Sequence, residues 1–210
     1  MQANARGLWA AIAIASIVFV GVVTAPPVAE AKVFAGRKDA LSEAFPTALR
    51  IDEKTHVLND ELAARCEQHA RARLESRLVT MYTAWGQEGV LGYAHISIHN
   101  VRTKPEALLI VLTPAGEVRS VRILAFHEPL DYLPAGRWYE QFAGTTQSAP
   151  LRVGRDIHGV VGSTLSARAA SEAVRHALAF YDLLVRPASV QPGRIGSTEP
   201  SSEAPSERSG

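Results

Sequence analysis

Ala107-Leu108-Leu109-Ile110-Val111-Leu112-Thr113, then Pro114-Ala115-Gly116-Glu117, then Val118-Arg119-Ser120-Val121-Arg122-Ile123-Leu124-Ala125-Phe126 reads as strand, turn and strand. The first run is apolar throughout, the middle carries turn residues, and the second run sets Val121, Ile123 and Ala125 against Arg119, Ser120 and Arg122. This pattern predicts a β-hairpin in an antiparallel sheet. Upstream, Tyr93 to His99 alternates, with Tyr93, His95, Ser97 and His99 on one face and Ala94, Ile96 and Ile98 on the other, which predicts a strand with one polar face. Leu78 to Ala84, β-branched and aromatic, predicts another strand. Gly86, Gly89 and Gly92 read as turns; they lack the strand, loop and helix context of a dinucleotide fingerprint.

Helical spacing brackets these strands. Leu58, Leu62, Cys66, Ala70, Leu74 and Leu78 recur near the helical period, predicting an amphipathic helix from Asn59 to about Arg77 with Asn59 or Asp60 as its cap. Asp39 to Leu49 predicts a short helix interrupted by Pro46. After the hairpin, Phe126 to Pro134 breaks the strand pattern and Arg137 to Phe142 offers a short aromatic helix. The last helix is expected to run to about Val185, with Leu165, Ala169, Ala173, Ala177, Tyr181 and Leu184 along one face. The expected fold is therefore α+β: an antiparallel sheet packed by an N-terminal amphipathic helix and a C-terminal helix.

The 210 residues suit one domain with tails, and a net charge of +1 carries no broad electrostatic footprint for nucleic acid. Arg6, the apolar run Leu8 to Val23, Pro26-Pro27 and Ala29-Glu30-Ala31 follow the order of a secretory leader, so residues 1–31 read as a signal peptide cleaved near Ala31 or as a retained N-terminal anchor. Either places the domain outside the cytoplasm, in the periplasm or on the outer face of the membrane. Residues 32–77 form an N-terminal helical region, 78–186 the main domain, and 187–210, rich in Pro, Ser, Gly and Glu, a disordered tail. Cys66 stands alone, which removes disulfides and cysteine-based metal clusters within the chain, and its spacing makes it a small core residue. His95 and His99 share a strand face roughly 13 Å apart, too far for both to ligate one metal. No G-x-S-x-G elbow, H-E-x-x-H or P-loop occurs.

The chemistry-bearing stretch is His158-Gly159-Val160-Val161-Gly162-Ser163-Thr164-Leu165-Ser166, which runs into the last helix. Free backbone N–H groups and the positive helix end converge there, so it suits an anion the size of a phosphate. Capping of the helix by Ser163, Thr164 or Ser166 explains the same hydroxyls and competes for the same donors. The stretch resembles the attachment motif D-G-x-S-G-A-T-x-T/S of the FMN-binding domain family. The glycine, the threonine and the final hydroxyl are present; His158, Val161 and Ser163 depart from it. His127-Glu128-Pro129, at the end of a predicted strand with Tyr132 nearby, is similar to the family's H-x-E-T-P-G loop. The order of strand, hairpin, Glu loop and threonine motif over roughly residues 78–185 is that of the extracytoplasmic subunits of Rnf-type and sodium-pumping NADH dehydrogenase complexes.

The resemblance implies an exported flavoprotein whose FMN is joined by phosphoester to Thr164, with Gly162, Ser163, Leu165, Ser166, His158, Glu128 and Tyr132 around the cofactor and no metal. It implies a flavin transferase that uses FAD during maturation, and redox partner proteins such as a membrane complex. Such a protein carries electrons and turns over no small substrate of its own. Tyr93, Phe126, Tyr132, Trp138 and Tyr139 are candidate walls for the ring, and His127 and Glu128 candidate polar contacts. A second reading stays open: a non-redox exported binding or assembly module with the same fold and no covalent flavin.

Overall fold

The computed structural model describes residues 32–189, so the leader and most of the tail lie outside the described residues. Its centre is a six-stranded antiparallel sheet in the order β1-β6-β5-β4-β3-β2, formed by β1 (Lys32–Val33), β2 (Arg50–Val57), β3 (Leu78–Gly86), β4 (Gly89–Asn100), β5 (Pro105–Leu112) and β6 (Val118–Phe126). Helices α1 (Arg37–Ala44), α2 (Asp60–Ala70) and α3 (Thr164–Phe180) cover it, and a π-helical turn, Tyr181–Val185, leads from α3 into the short α4 (Arg186–Ser189). The expected α+β class is the observed one, with helices on both faces.

Two separate clusters make the core. On one face, Val79, Met81, Tyr93, Leu108, Ile110, Leu112 and Val121 pack under α2, α3 and the 3-10 segment Gly136–Phe142. On the other, Tyr82, Ala84, Ala94, Leu109, Val111 and Leu124 meet Ala40 and Leu41 of α1 and Phe45 just after it. This explains the composition of β5, which lies between β4 and β6 with both faces covered: Leu108 to Leu112 are all fully buried, and a strand covered twice carries no alternation. The polar face of β4 is not turned to water. Tyr93, His95 and Ser97 are buried beneath α3, whereas Ile98 on the opposite face is 71% exposed.

Several boundaries differ from the sequence expectation. Residues 32–77 contribute β1 and β2 as well as α1 and α2, and these strands are the two edges of the common sheet. Gly92 lies inside β4 and not in a turn. Asn59 is the cap of α2, its side chain accepting from Leu62 N at 2.8 Å, but the helix stops at Ala70, not near Arg77. The cause is tertiary: Arg71 takes a left-handed conformation (φ 52°), Arg175 of α3 donates to the Ala70 carbonyl at 2.7 Å, and Gln147 donates to the His69 carbonyl at 2.7 Å. Donors from outside satisfy the carbonyls that a further helical turn would have used. In α3 the buried arc is wider than the expected stripe and includes Ala167, Ala170, Val174 and Leu178, while Leu165 is 45% exposed. The helix packs on both the sheet and α2.

The β5–β6 turn is locked to the end of α3. Gly116 has φ +87°, and a Cβ there would lie 2.1 Å from the Tyr181 ring, whose hydroxyl donates to the Pro114 carbonyl at 2.8 Å. Glycine is required twice over, by the backbone angle and by the approach of the ring.

Candidate functional site

The site begins where the chain turns into α3. Gly162 has φ +85° with open space above it, a backbone conformation that disfavours any side chain. Ser163 follows, donating its N–H to the Val160 carbonyl at 3.1 Å and accepting Ala167 N–H at 2.9 Å, which closes the first turn of the helix. Its hydroxyl does not cap: it donates to the Asp131 carbonyl at 3.4 Å, and the Ser166 hydroxyl donates to the Tyr132 carbonyl at 2.6 Å. Both serines are buried, and together they pin the start of α3 to the 3-10 turn Leu130–Tyr132. Thr164, between them, is exposed, and its hydroxyl makes no hydrogen bond among the described residues.

This division of labour leaves the helix start open. No side chain caps α3 and its first turn holds no acidic residue, so the N–H groups of that turn and the positive end of the helix dipole stay free for an anion. The Gly162–Ser166 stretch, Tyr132, Val101 and Arg102 enclose a cavity of about 130 Å3 there. The Arg102 guanidinium lies over the Tyr132 ring, 5.4 Å from its centroid, and brings a positive charge to the same place.

Glu128 acts on this site from behind. It is 6% exposed, and its Oε1 accepts from Thr103 N (2.8 Å), Lys104 N (3.0 Å) and Thr103 Oγ1 (3.3 Å). The bond from the Thr103 amide is the largest of the effects that hold its carboxyl below the usual carboxylate range, helped by the Lys104 amide and opposed by burial. Glu128 thus anchors the segment that carries Val101 and Arg102 to the cavity.

Of the residues expected around a cofactor, Gly162, Ser163, Thr164, Leu165, Ser166 and Tyr132 come together at one cavity. Glu128 reaches it through the Thr103–Lys104 backbone. The His158 side chain is exposed and does not line the cavity; the residue serves through its main chain, its N–H donating to Gln141 Oε1 and its carbonyl accepting from Trp138 Nε1, both at 2.7 Å. His127 likewise lies off the cavity, its Nδ1 3.1 Å from the Pro105 carbonyl. Tyr93, Phe126, Trp138 and Tyr139 are core residues. Arg102 went unnoticed in the sequence because no motif marks it; it is far from the threonine stretch in the chain, and only β4 and the Glu128 anchor bring it there. No protein-family model matches the chain, and no curated protein matches it.

Proposed function

We propose that this domain holds FMN at the start of α3, through a phosphoester to Thr164, and carries electrons between redox partners outside the cytoplasm. The observation that carries the reading is the contrast among three neighbouring hydroxyls. Ser163 and Ser166 are buried and committed to the 3-10 turn, whereas Thr164 is exposed, free and set on an uncapped helix start beside Arg102. That donor set fits a phosphate: backbone N–H groups and a guanidinium for its oxygens, and a hydroxyl within the same cavity. Attachment forms the Thr164 Oγ1–phosphorus bond as the pyrophosphate bond of FAD breaks; AMP leaves and the hydroxyl proton passes to solvent. The transferase supplies FAD, and bound FMN supplies the electron chemistry. The chain contributes position and charge. Arg102 offsets phosphate charge, Glu128 fixes the segment bearing Arg102, and Ser163 and Ser166 keep the helix start aimed at the cavity.

Intact-mass analysis and in-gel flavin fluorescence of the full chain, produced with a flavin transferase, test this. The expected result is one FMN-sized mass addition that Thr164→Val abolishes while Ser163→Ala retains it. Folded protein without added mass or yellow colour would instead be the non-redox module that departs from the motif at His158, Val161 and Ser163.

A further inference from the structure

β3 and β4 pair only from Met81↔His95 to Gly86↔Gly89. Beyond that point β4 stays with β5 out to Asn100 and β3 stays with β2 back to Leu78, so the two strands splay apart. The opening is a cavity of about 340 Å3, at the lower end of the roughly 300–1,000 Å3 range of small-molecule sites. Its roof is α3, which presents the small side chains of Ala169 and Ala173 there, with Glu172 at the edge and His176 and Phe180 further along.

Apolar side chains, Leu74, Leu78 and Val79 among them, share the walls with polar ones. His95 Nδ1 lies 3.0 Å from the Thr80 carbonyl, which can only accept, so Nδ1 bears the hydrogen and Nε2 of the neutral ring is left as an acceptor. Burial favours that neutral form, pushing the His95 pKa down to about 4, and it lowers that of His176 too. The His176 ring stacks on Phe180 at 10°. Arg73, Glu75 and Glu172 are exposed and stand at the rim. Ser97 and His99 complete the wall and continue inward: Ser97 Oγ to His99 Nδ1 at 3.1 Å, His99 Nε2 to Glu106 Oε2 at 3.1 Å, and the Tyr139 hydroxyl to Glu106 Oε1 at 3.4 Å, with Glu106 fully buried. A flat, uncharged heterocycle with hydrogen-bonding edges matches such a lining.

The cleft adjoins the phosphate-sized cavity. Leu165 lines the one, and Ala169 and Ala173, each a helical turn further along the same stripe, line the other. Thr164 and Ala169 are about 7.5 Å apart along the helix axis. Asn100 borders the cleft, and Val101 and Arg102 the smaller cavity. We propose that the cleft between α3 and the splayed strands β3 and β4 receives the isoalloxazine ring of the flavin, Ala169 and Ala173 leaving the room for it and the Ser97–His99–Glu106 chain forming its hydrogen-bonding wall. This rests on the reading of Thr164 as the FMN acceptor, and it moves the ring away from the Glu128 loop.

The test compares flavinylated wild type with Ala169→Phe, which fills the cleft from the roof, and with the smaller Ala169→Leu, which fills part of it. Far-UV circular dichroism verifies folding, and intact mass verifies FMN on Thr164. Iodide is expected to quench the attached flavin several-fold more strongly in either folded variant than in wild type. Equal quenching in wild type and a folded variant, with the FMN mass present in both, would overturn the cleft while leaving the attachment standing. Wild type without the FMN mass would overturn the attachment, and riboflavin, which lacks the phosphate, then decides the cleft. Saturable fluorescence quenching of riboflavin that weakens about tenfold in Ala169→Phe supports it. No saturable binding, or equal binding in both proteins, overturns it.

Discussion

Ser163, Thr164 and Ser166 differ in what their hydroxyls touch, and substitutions separate them. Ser166→Ala deletes a 2.6 Å bond and leaves the part-buried Tyr132 carbonyl without its donor, so it is expected to cost about 0.5–1.5 kcal/mol in urea unfolding. Thr164→Val changes an exposed group that makes no hydrogen bond among the described residues; its stability should stay within about 0.5 kcal/mol of wild type, while flavin attachment disappears. The opposite pairing, a stability loss at Thr164 with none at Ser166, would refute the assignment of roles at the helix start. At Gly116, Ala brings both a left-handed backbone angle for a residue with a Cβ and a 2.1 Å approach to the Tyr181 ring. Gly116→Ala is expected to destabilise by about 2–4 kcal/mol, read as a lowered denaturation midpoint. These costs are invisible in sequence, where Gly116 is one turn glycine among several and Ser166 one hydroxyl of a motif.

The helices show how an element's limits depend on its neighbours. Asn59 caps α2 as its sequence suggests, because a side-chain acceptor at a helix start needs only the residues next to it. The C-terminus of α2 answers to Arg175, more than a hundred residues later, whose Nε takes the Ala70 carbonyl. Arg175→Met keeps most of the aliphatic bulk and removes the donor. It is expected to cost about 1.5–3 kcal/mol and to raise amide hydrogen exchange in the last turn of α2 above that in the first. Unchanged exchange there would show that the left-handed Arg71 suffices to end the helix. The period of β4 was readable, yet which face met water was not, since α3 covers the polar one and α1 stops short of Ile98.

For the whole molecule, the buried imidazoles set a pH dependence. In the unfolded chain His95 takes a proton near 6.5, in the folded chain only near about 4. Between these values the unfolded state binds more protons, so stability falls as pH is lowered through this window, at up to about 1.4 kcal/mol per pH unit from this one group. His176, lowered mainly by its own burial, acts in the same direction. Urea titrations from pH 7 to 4 should show the decline, and His95→Gln should flatten it; a slope of the same steepness in that variant would place the dependence elsewhere. The antiparallel hairpin, the helical periods and the glycine- and hydroxyl-containing start of α3 were legible in the chain because each is a local pattern of side-chain size, polarity and backbone freedom. β2 was missed, for Arg50 to Val57 carries mostly exposed polar residues on a sheet edge and so lacks the alternation a buried face imposes. Tertiary structure alone decided which hydroxyl stays free at Thr164, that Arg102 stands beside it, and that β3 and β4 part to leave a cleft. Those are contacts between segments distant in sequence, and the packing of the sheet against α2 and α3 settles them.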